Sequence, residues 1–340
     1  MCSLIDPVTG FEIPQEWLAR YELPLYALKR RTDSGLYVPT ASGKLLKRGL
    51  STGTISAAAA KAAVLSIAKP VTQVDILTPV GIRVKIRTTS GDGCARAQKP
   101  RSDHTHDITE GIIFEAKASK SHETRLSCGE GIGIVRKHGL RVPYGAPAIN
   151  PEARWSIEHA IREAVHSVGL KGALVKLSAI HGAATAKKTL NQKVGIFGGI
   201  SVLGTTGFVE PWNDCLLDSA ENLAETADKV ALTTGRTGLR YAKMYFPDHT
   251  AIVAGSNLER VFQKIKGKET IVIGLPALVL KWANPDILSE SETKADTVQE
   301  LFDKDPHAAE ITAALTALKT RTKSRIIIID RCGKIIRDVG

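Results

Sequence analysis

The stretch Lys187-Lys188-Thr189-Leu190-Asn191-Gln192-Lys193-Val194-Gly195-Ile196-Phe197-Gly198-Gly199-Ile200-Ser201-Val202-Leu203-Gly204-Thr205-Thr206-Gly207-Phe208-Val209-Glu210-Pro211 marks a change of rhythm in the chain. From it onward, short apolar runs at 194–200, 230–232, 251–254, 270–273 and 325–330 alternate with helical stretches. The clearest of these helices are expected over 218–228, 258–266 and 308–318. Strands alternating with helices predict a parallel sheet covered on both faces. Residues 191–340 therefore read as a doubly wound α/β domain.

Upstream the pattern is different. Ile82-Arg83-Val84-Lys85-Ile86-Arg87 alternates strictly, as a half-buried antiparallel strand does, and a second such strand is expected over 112–118. Ile157, Ala160, Ile161, Ala164, Val165 and Val168 lie on one helical face, with Gly169 where a C-terminal cap belongs. Residues 173–177 follow as a short buried strand. Residues 46–190 thus read as an α+β domain. Residues 1–45 are turn-rich, but Trp17, Leu18, Tyr21 and Leu23 make them too apolar for a free tail. They are expected to pack onto the body as an N-terminal extension.

With 340 residues, 43% of them hydrophobic and 24% charged, the chain fits two globular domains. No apolar run reaches the roughly 20 residues that cross a membrane, and the N-terminus has no signal-peptide pattern, so the cytoplasm is the expected location. Cys2, Cys94, Cys128, Cys215 and Cys332 are too scattered for a disulfide framework or a zinc ribbon, and are expected as reduced, mostly buried thiols. A net charge of +11 favours an anionic partner. Aromatic residues are only 5% and the basic residues form no stripe, so a small anionic metabolite is favoured over nucleic acid.

Three segments carry the groups that hold anions. Arg48-Gly49-Leu50-Ser51-Thr52-Gly53-Thr54 precedes the alanine-rich helix start and offers hydroxyls and backbone N–H groups, as a ligand loop or as an N-cap. Asp103-His104-Thr105-His106-Asp107-Ile108-Thr109-Glu110-Gly111 is dense in titratable groups but lacks the further ligands a metal site needs, so no protein metal is expected. In the third segment, 187–211, a buried strand runs into glycines, the usual ligand position in open α/β sheets. It has neither the lysine of a Walker loop, where Thr205 stands, nor the G-x-G-x-x-G of a dinucleotide site.

Arg48-Gly49-x-Ser51-Thr52-Gly53-Thr54, Gly129-Glu130-Gly131-Ile132-Gly133, Gly139-Leu140, Pro147-Ala148-Ile149-Asn150-Pro151 and the whole of 187–211 resemble the CbiD family. The likeness runs from about residue 46 to the C-terminus, and Asp6-Pro7-Val8-Thr9-Gly10-Phe11 resembles versions from methanogenic archaea. The resemblance implies a C-methyltransferase of anaerobic cobalamin biosynthesis. Such an enzyme moves a methyl group from S-adenosylmethionine to carbon 1 of cobalt-precorrin-5B, giving cobalt-precorrin-6A. It also implies an N-terminal domain like domain 2 of ribosomal protein S5 and a C-terminal Rossmann-like domain.

On that reading Gly198, Gly199, Ser201, Gly204, Thr205 and Thr206 are the expected donor contacts. Gly199→Val is expected to abolish donor binding with the fold largely intact. Arg48, Ser51, Thr52, Gly53, Thr54, Asp107 and Thr109 are expected to face a polycarboxylate tetrapyrrole, whose cobalt belongs to the substrate. Self-association into a homo-oligomer and transient contact with neighbouring pathway enzymes remain open. The chain departs from the family at 103–107, where two carboxylates are missing, and at Leu275, where the family carries histidine. Catalytic residues are therefore unassigned. The rival readings are a small-molecule kinase, with 48–56 as a phosphate loop, and a basic nucleic-acid-binding protein.

Overall fold

The computed structural model describes residues 3–104, 107–211, 226–255, 257–289 and 295–340. Most of the expected helix at 218–228, together with Cys2, Thr105, His106, Trp212 and Cys215, lies outside these. The architecture is mixed α/β. Two compact units divide the chain: one comprises Arg30–Val38 and Lys47–Pro211, the other Met1–Lys29, Pro39–Leu46 and Trp212–Gly340.

The first unit is built on the helix Thr52–Leu65, buried along almost its whole length. Alanines at 57–60, 62 and 63 give it high helix propensity and a thin profile. On one side lies the helix Pro151–Ser167, started by Asn150, whose side chain accepts the Ala153 N–H, and by Pro151 at its first position. On the other lies a five-stranded sheet with the order Arg125–Cys128, Gly172–Ile180, Ile113–Ser121, Cys94–Gln98, Thr89–Gly91. The strand Arg83–Arg87 pairs with Gln73–Leu77, burying Val84 and Ile86 and turning its three cations outward, as the alternation predicts.

The stretch 191–211 belongs to this unit, so the expected division at 190 falls inside it. The apolar run at 194–200 contributes no strand to the five-stranded, mainly parallel sheet of the second unit. Broken by glycines at 195, 198 and 199, it makes only two-residue bridges: Ile196–Phe197 with Ile134–Val135, and Gly199–Ile200 with Gly131–Ile132.

The second unit holds a parallel sheet in the order Thr250–Val253, Lys229–Thr233, Glu269–Gly274, Arg325–Ile329, closed by the antiparallel edge strand Ile335–Val339. Val230, Leu232, Ile252, Val272, Ile326 and Ile328 share one core with the helices Leu258–Ile265, Pro276–Ala283 and Ala309–Thr322. Apart from Arg30–Val38, the N-terminal extension folds with this unit: Phe11 and Trp17 pack against Tyr241 and Tyr245 of the helix Arg236–Tyr245.

Cys94 and Cys332 are exposed and Cys128 half-buried, correcting the expectation of buried thiols. Cys94 occupies an outward phase of its strand. Among the described residues no helix is long and apolar enough to cross a membrane.

Glu163 ties the layers of the first unit together, accepting from Lys61 and Arg83, each at 2.6 Å. Burial pushes its carboxyl up, but hydrogen bonds and charge from Arg83 and Lys61 outweigh this and bring it down to about 2. A folded-state value below the unfolded one stabilises above about 4.5, and that contribution is lost as pH falls towards 2. Glu163→Gln is expected to cost on the order of 1–2 kcal/mol at pH 7, allowing for solvent screening, and close to nothing at pH 2. Urea denaturation across that pH range checks this.

Candidate functional site

Within the first unit, the segments around residues 50 and 205 are clasped together. Phe208 and Val209 pair antiparallel with Leu50 and Gly49. Ser51 N–H donates to Gly207 O at 3.0 Å and Gly53 N–H to Leu203 O at 2.8 Å. Thr52 Oγ1 accepts the Leu203 N–H at 2.8 Å, and Thr54 Oγ1 donates to Gly207 O at 2.8 Å. Ser51 is the N-cap, its hydroxyl accepting the Thr54 N–H at 3.1 Å. The segment 103–111 joins through Asp103, whose carboxylate accepts the Lys47 N–H at 2.6 Å.

These segments enclose a cleft of about 450 Å³. It is lined by Ser51, Thr52, Asp107, Thr109, Ser201, Gly204 and Thr205 from the expected set, so some residues expected for the donor and some expected for the substrate line one hollow. Lys99, Asn150, Thr189 and Asn191 also line it and were not anticipated. A larger hollow of about 540 Å³ lies by the sheet, around Lys117, Lys176 and His181, and contains none of the expected residues.

Lys99 is the most informative addition. Its ammonium, 2% exposed, meets Asp107 Oδ2 at 2.5 Å and Thr109 Oγ1 at 2.6 Å. Thr109 in turn donates to Asp107 Oδ1 at 2.6 Å from its hydroxyl and 3.0 Å from its N–H. Burial pushes the lysine down, countered in part by Asp107. Burial also pushes the Asp107 carboxyl up, but Lys99 and Thr109 more than compensate and hold it below the usual carboxylate range. The sequence did carry a signal for Lys99. Ala95 and Ala97 face inward on the strand Cys94–Gln98, and Lys99 continues that inward phase.

The remaining expected residues lie elsewhere in the clasp. Arg48 is fully buried, its guanidinium bonded to Glu210 at 3.0 Å and to Gly35 O at 3.2 Å. Gly53 and Thr54 are buried, and Thr206 accepts the Phe208 N–H at 3.2 Å. Gly198 is exposed at a left-handed turn. A Cβ on Gly199 would stand 2.2 Å from Gly131 O, so this glycine is required by the packing of two backbones. That corrects the expectation that valine there would spare the fold.

The two long helices of this unit, Thr52–Leu65 and Pro151–Ser167, begin at the cleft, through Ser51 and Thr52 and through Asn150. The Gly53, Thr54 and Ala153 N–H groups at these starts are taken by Leu203 O, Ser51 Oγ and Asn150 Oδ1, so what the starts offer an anion is the positive dipole end, beside the exposed Thr205. Among the described residues no group of three or more His, Cys, Asp or Glu is placed to hold a metal ion.

The profile of the CbiD family matches residues 40–211. A cobalt-precorrin-5B C(1)-methyltransferase of Methanococcoides burtonii is 45% identical over 99% of this chain and 99% of its own. One from Methanosarcina acetivorans is 44% identical over 98% of each. The crystal structure of the cobalamin biosynthesis protein cbiD from Archaeoglobus fulgidus is 30% identical and superimposes with a TM-score of 0.57, covering 96% of this chain and 100% of that one. The chain belongs to the CbiD family.

Two substitutions test this construction by thermal or urea denaturation. Gly199→Val is expected to cost about 3 kcal/mol or more, from overpacking against Gly131; an unchanged melting temperature would contradict the close approach. Lys99→Met leaves Asp107 without its cation and is expected to cost about 3–5 kcal/mol, with Lys99→Met/Asp107→Asn recovering part of it.

Proposed function

We propose that this chain methylates carbon 1 of cobalt-precorrin-5B, giving cobalt-precorrin-6A in cobalamin biosynthesis, with S-adenosylmethionine as donor. The observation that carries the reading is the 45% identity, end to end, to a relative bearing that activity's name. In the same reading the first unit is an S5 domain 2-like fold, the second a Rossmann-like one, and the enzyme works in the cytoplasm.

A sulfonium donor supplies an already activated methyl group, which passes to the ring carbon as the C–S bond breaks and its electron pair returns to sulfur. The protein's task is alignment and exclusion of water, and no side-chain nucleophile is needed. The cleft of the first unit takes the edge of the macrocycle. The substrate's carboxylates lie towards the two helix starts and the exposed Thr205 hydroxyl, while the Ser201–Asn191 pair and the Lys99–Asp107–Thr109 cluster hold the wall in shape. The substrate carries its own cobalt. The excess of Lys and Arg supports this reading by drawing in a polyanion.

The kinase reading loses its ground at 48–56. The Ser51, Gly53 and Thr54 N–H groups that would cradle phosphate are occupied by Gly207 O, Leu203 O and Ser51 Oγ.

Incubation with methyl-labelled donor and fresh cobalt-precorrin-5B is expected to raise the substrate's mass by one methyl group. No gain would overturn the reading. Thr205→Val, at an exposed position, is expected to lower kcat/KM about tenfold without shifting the melting temperature.

A further inference from the structure

The five-stranded sheet of the first unit turns one face to the helix Thr52–Leu65, burying Phe114, Ala116, Val175 and Leu177. One row across its other face carries an unfavourable pair. On the adjacent strands Ile113–Ser121 and Gly172–Ile180, the exposed Lys117 stands directly opposite the exposed Lys176. Like charges in register across an antiparallel pair are destabilising. No carboxylate in the row relieves them, since Ser127 follows beyond Lys176 and Cys94 beyond Lys117. Glu115, two residues along the strand from Lys117, is taken by Arg96 at 2.7 Å. Among the described residues neither Lys117 nor Lys176 forms an ion pair.

Both lysines line the hollow of about 540 Å³. Gly129 makes room beside them, for a Cβ there would stand 2.9 Å from Lys176 Cε and 2.3 Å from Ser178 Oγ. The Lys176 stem and the Ser178 hydroxyl therefore lie over the end of the edge strand Arg125–Cys128. His181 joins the lining at φ 58°, a left-handed conformation uncommon for any residue but glycine. Its carbonyl holds it there, accepting from both the N–H and the hydroxyl of Thr185. With Glu115 held by Arg96, two ammonium groups face one remaining carboxylate in the lining, the exposed Glu130.

We propose that this hollow is an anion site, in which a carboxylate bridges the Lys117 and Lys176 ammonium groups beside Ser178 and His181. A bound carboxylate turns one repulsion into two charge-assisted hydrogen bonds. A face adapted only to solubility intersperses its signs, as Arg96 and Glu115 do on the next row. The carboxylate comes either from the rim of the macrocycle or from a free organic acid, and the chemistry of recognition is the same for both.

Citrate at low ionic strength serves as the probe, read out by acetylation of individual lysines in the full chain. It is expected to slow modification of Lys117 and Lys176 about tenfold or more, leaving Lys120 on the same strand unprotected. Ligand-free Lys117→Gln and Lys176→Gln are each expected to melt at or above the wild-type temperature, since each removes the repulsion. Each is also expected to abolish protection of the lysine that remains. Acetylation of both wild-type lysines that ignores citrate overturns the site, and so does a melting temperature that falls in both variants. Steady-state kinetics separate the two sources. A KM for cobalt-precorrin-5B raised about tenfold in Lys117→Gln/Lys176→Gln assigns the hollow to the substrate's carboxylates, and an unchanged KM assigns it to a free acid. Absence of methyl transfer by the wild-type protein overturns the proposed reaction but not the site, which citrate protection tests separately.

Discussion

A helix buried on nearly every side must also bury its first turn, and the first unit is organised around that constraint. The start of Thr52–Leu65 cannot rely on water for its amide groups, and each one left unpaired would cost about 1–3 kcal/mol. The segment 203–209 meets the need with Leu203 O, Gly207 O and the strand pairing at Leu50. Because that segment must return to residue 50, the walls that carry Ser201, Gly204 and Thr205 stand beside Ser51 and Thr52. The cleft follows from satisfying a helix terminus.

The same constraint explains the glycines. Where 196–200 crosses 131–135, two backbones approach too closely for a side chain at Gly199. From sequence, a glycine that admits a ligand and a glycine that admits another backbone are indistinguishable, since both require only the missing Cβ. This is why 187–211 read as a strand of the parallel sheet with a ligand loop at its end. The motif was legible, and its partner, more than sixty residues away, was not.

Elsewhere the pattern was readable in proportion to how local its cause is. The alternation at Arg83–Arg87, the helical face of Pro151–Ser167 and the strands at 229–233, 269–274 and 325–329 depend on burial with a short period, and the structure has them where the periods put them. Arg48 shows the limit. A basic residue in a hydroxyl-rich loop suggests an anionic ligand, whereas its carboxylate, Glu210, is supplied by a segment 162 positions later. Lys99 was the reverse case, a buried cation announced by the inward phase of Ala95 and Ala97 but hidden by its place just beyond the strand's end.

The central claim is that three segments distant in sequence form one carboxylate-binding cleft for the corrin precursor. A crystal structure of the protein with cobalt-precorrin-5B bound tests it most directly. The expected result is a peripheral carboxylate of the macrocycle against Thr205, over the helix starts at Ser51 and Asn150. A macrocycle seated clear of that cleft, with Lys99, Asp107 and Thr109 unshielded by it, would contradict the account.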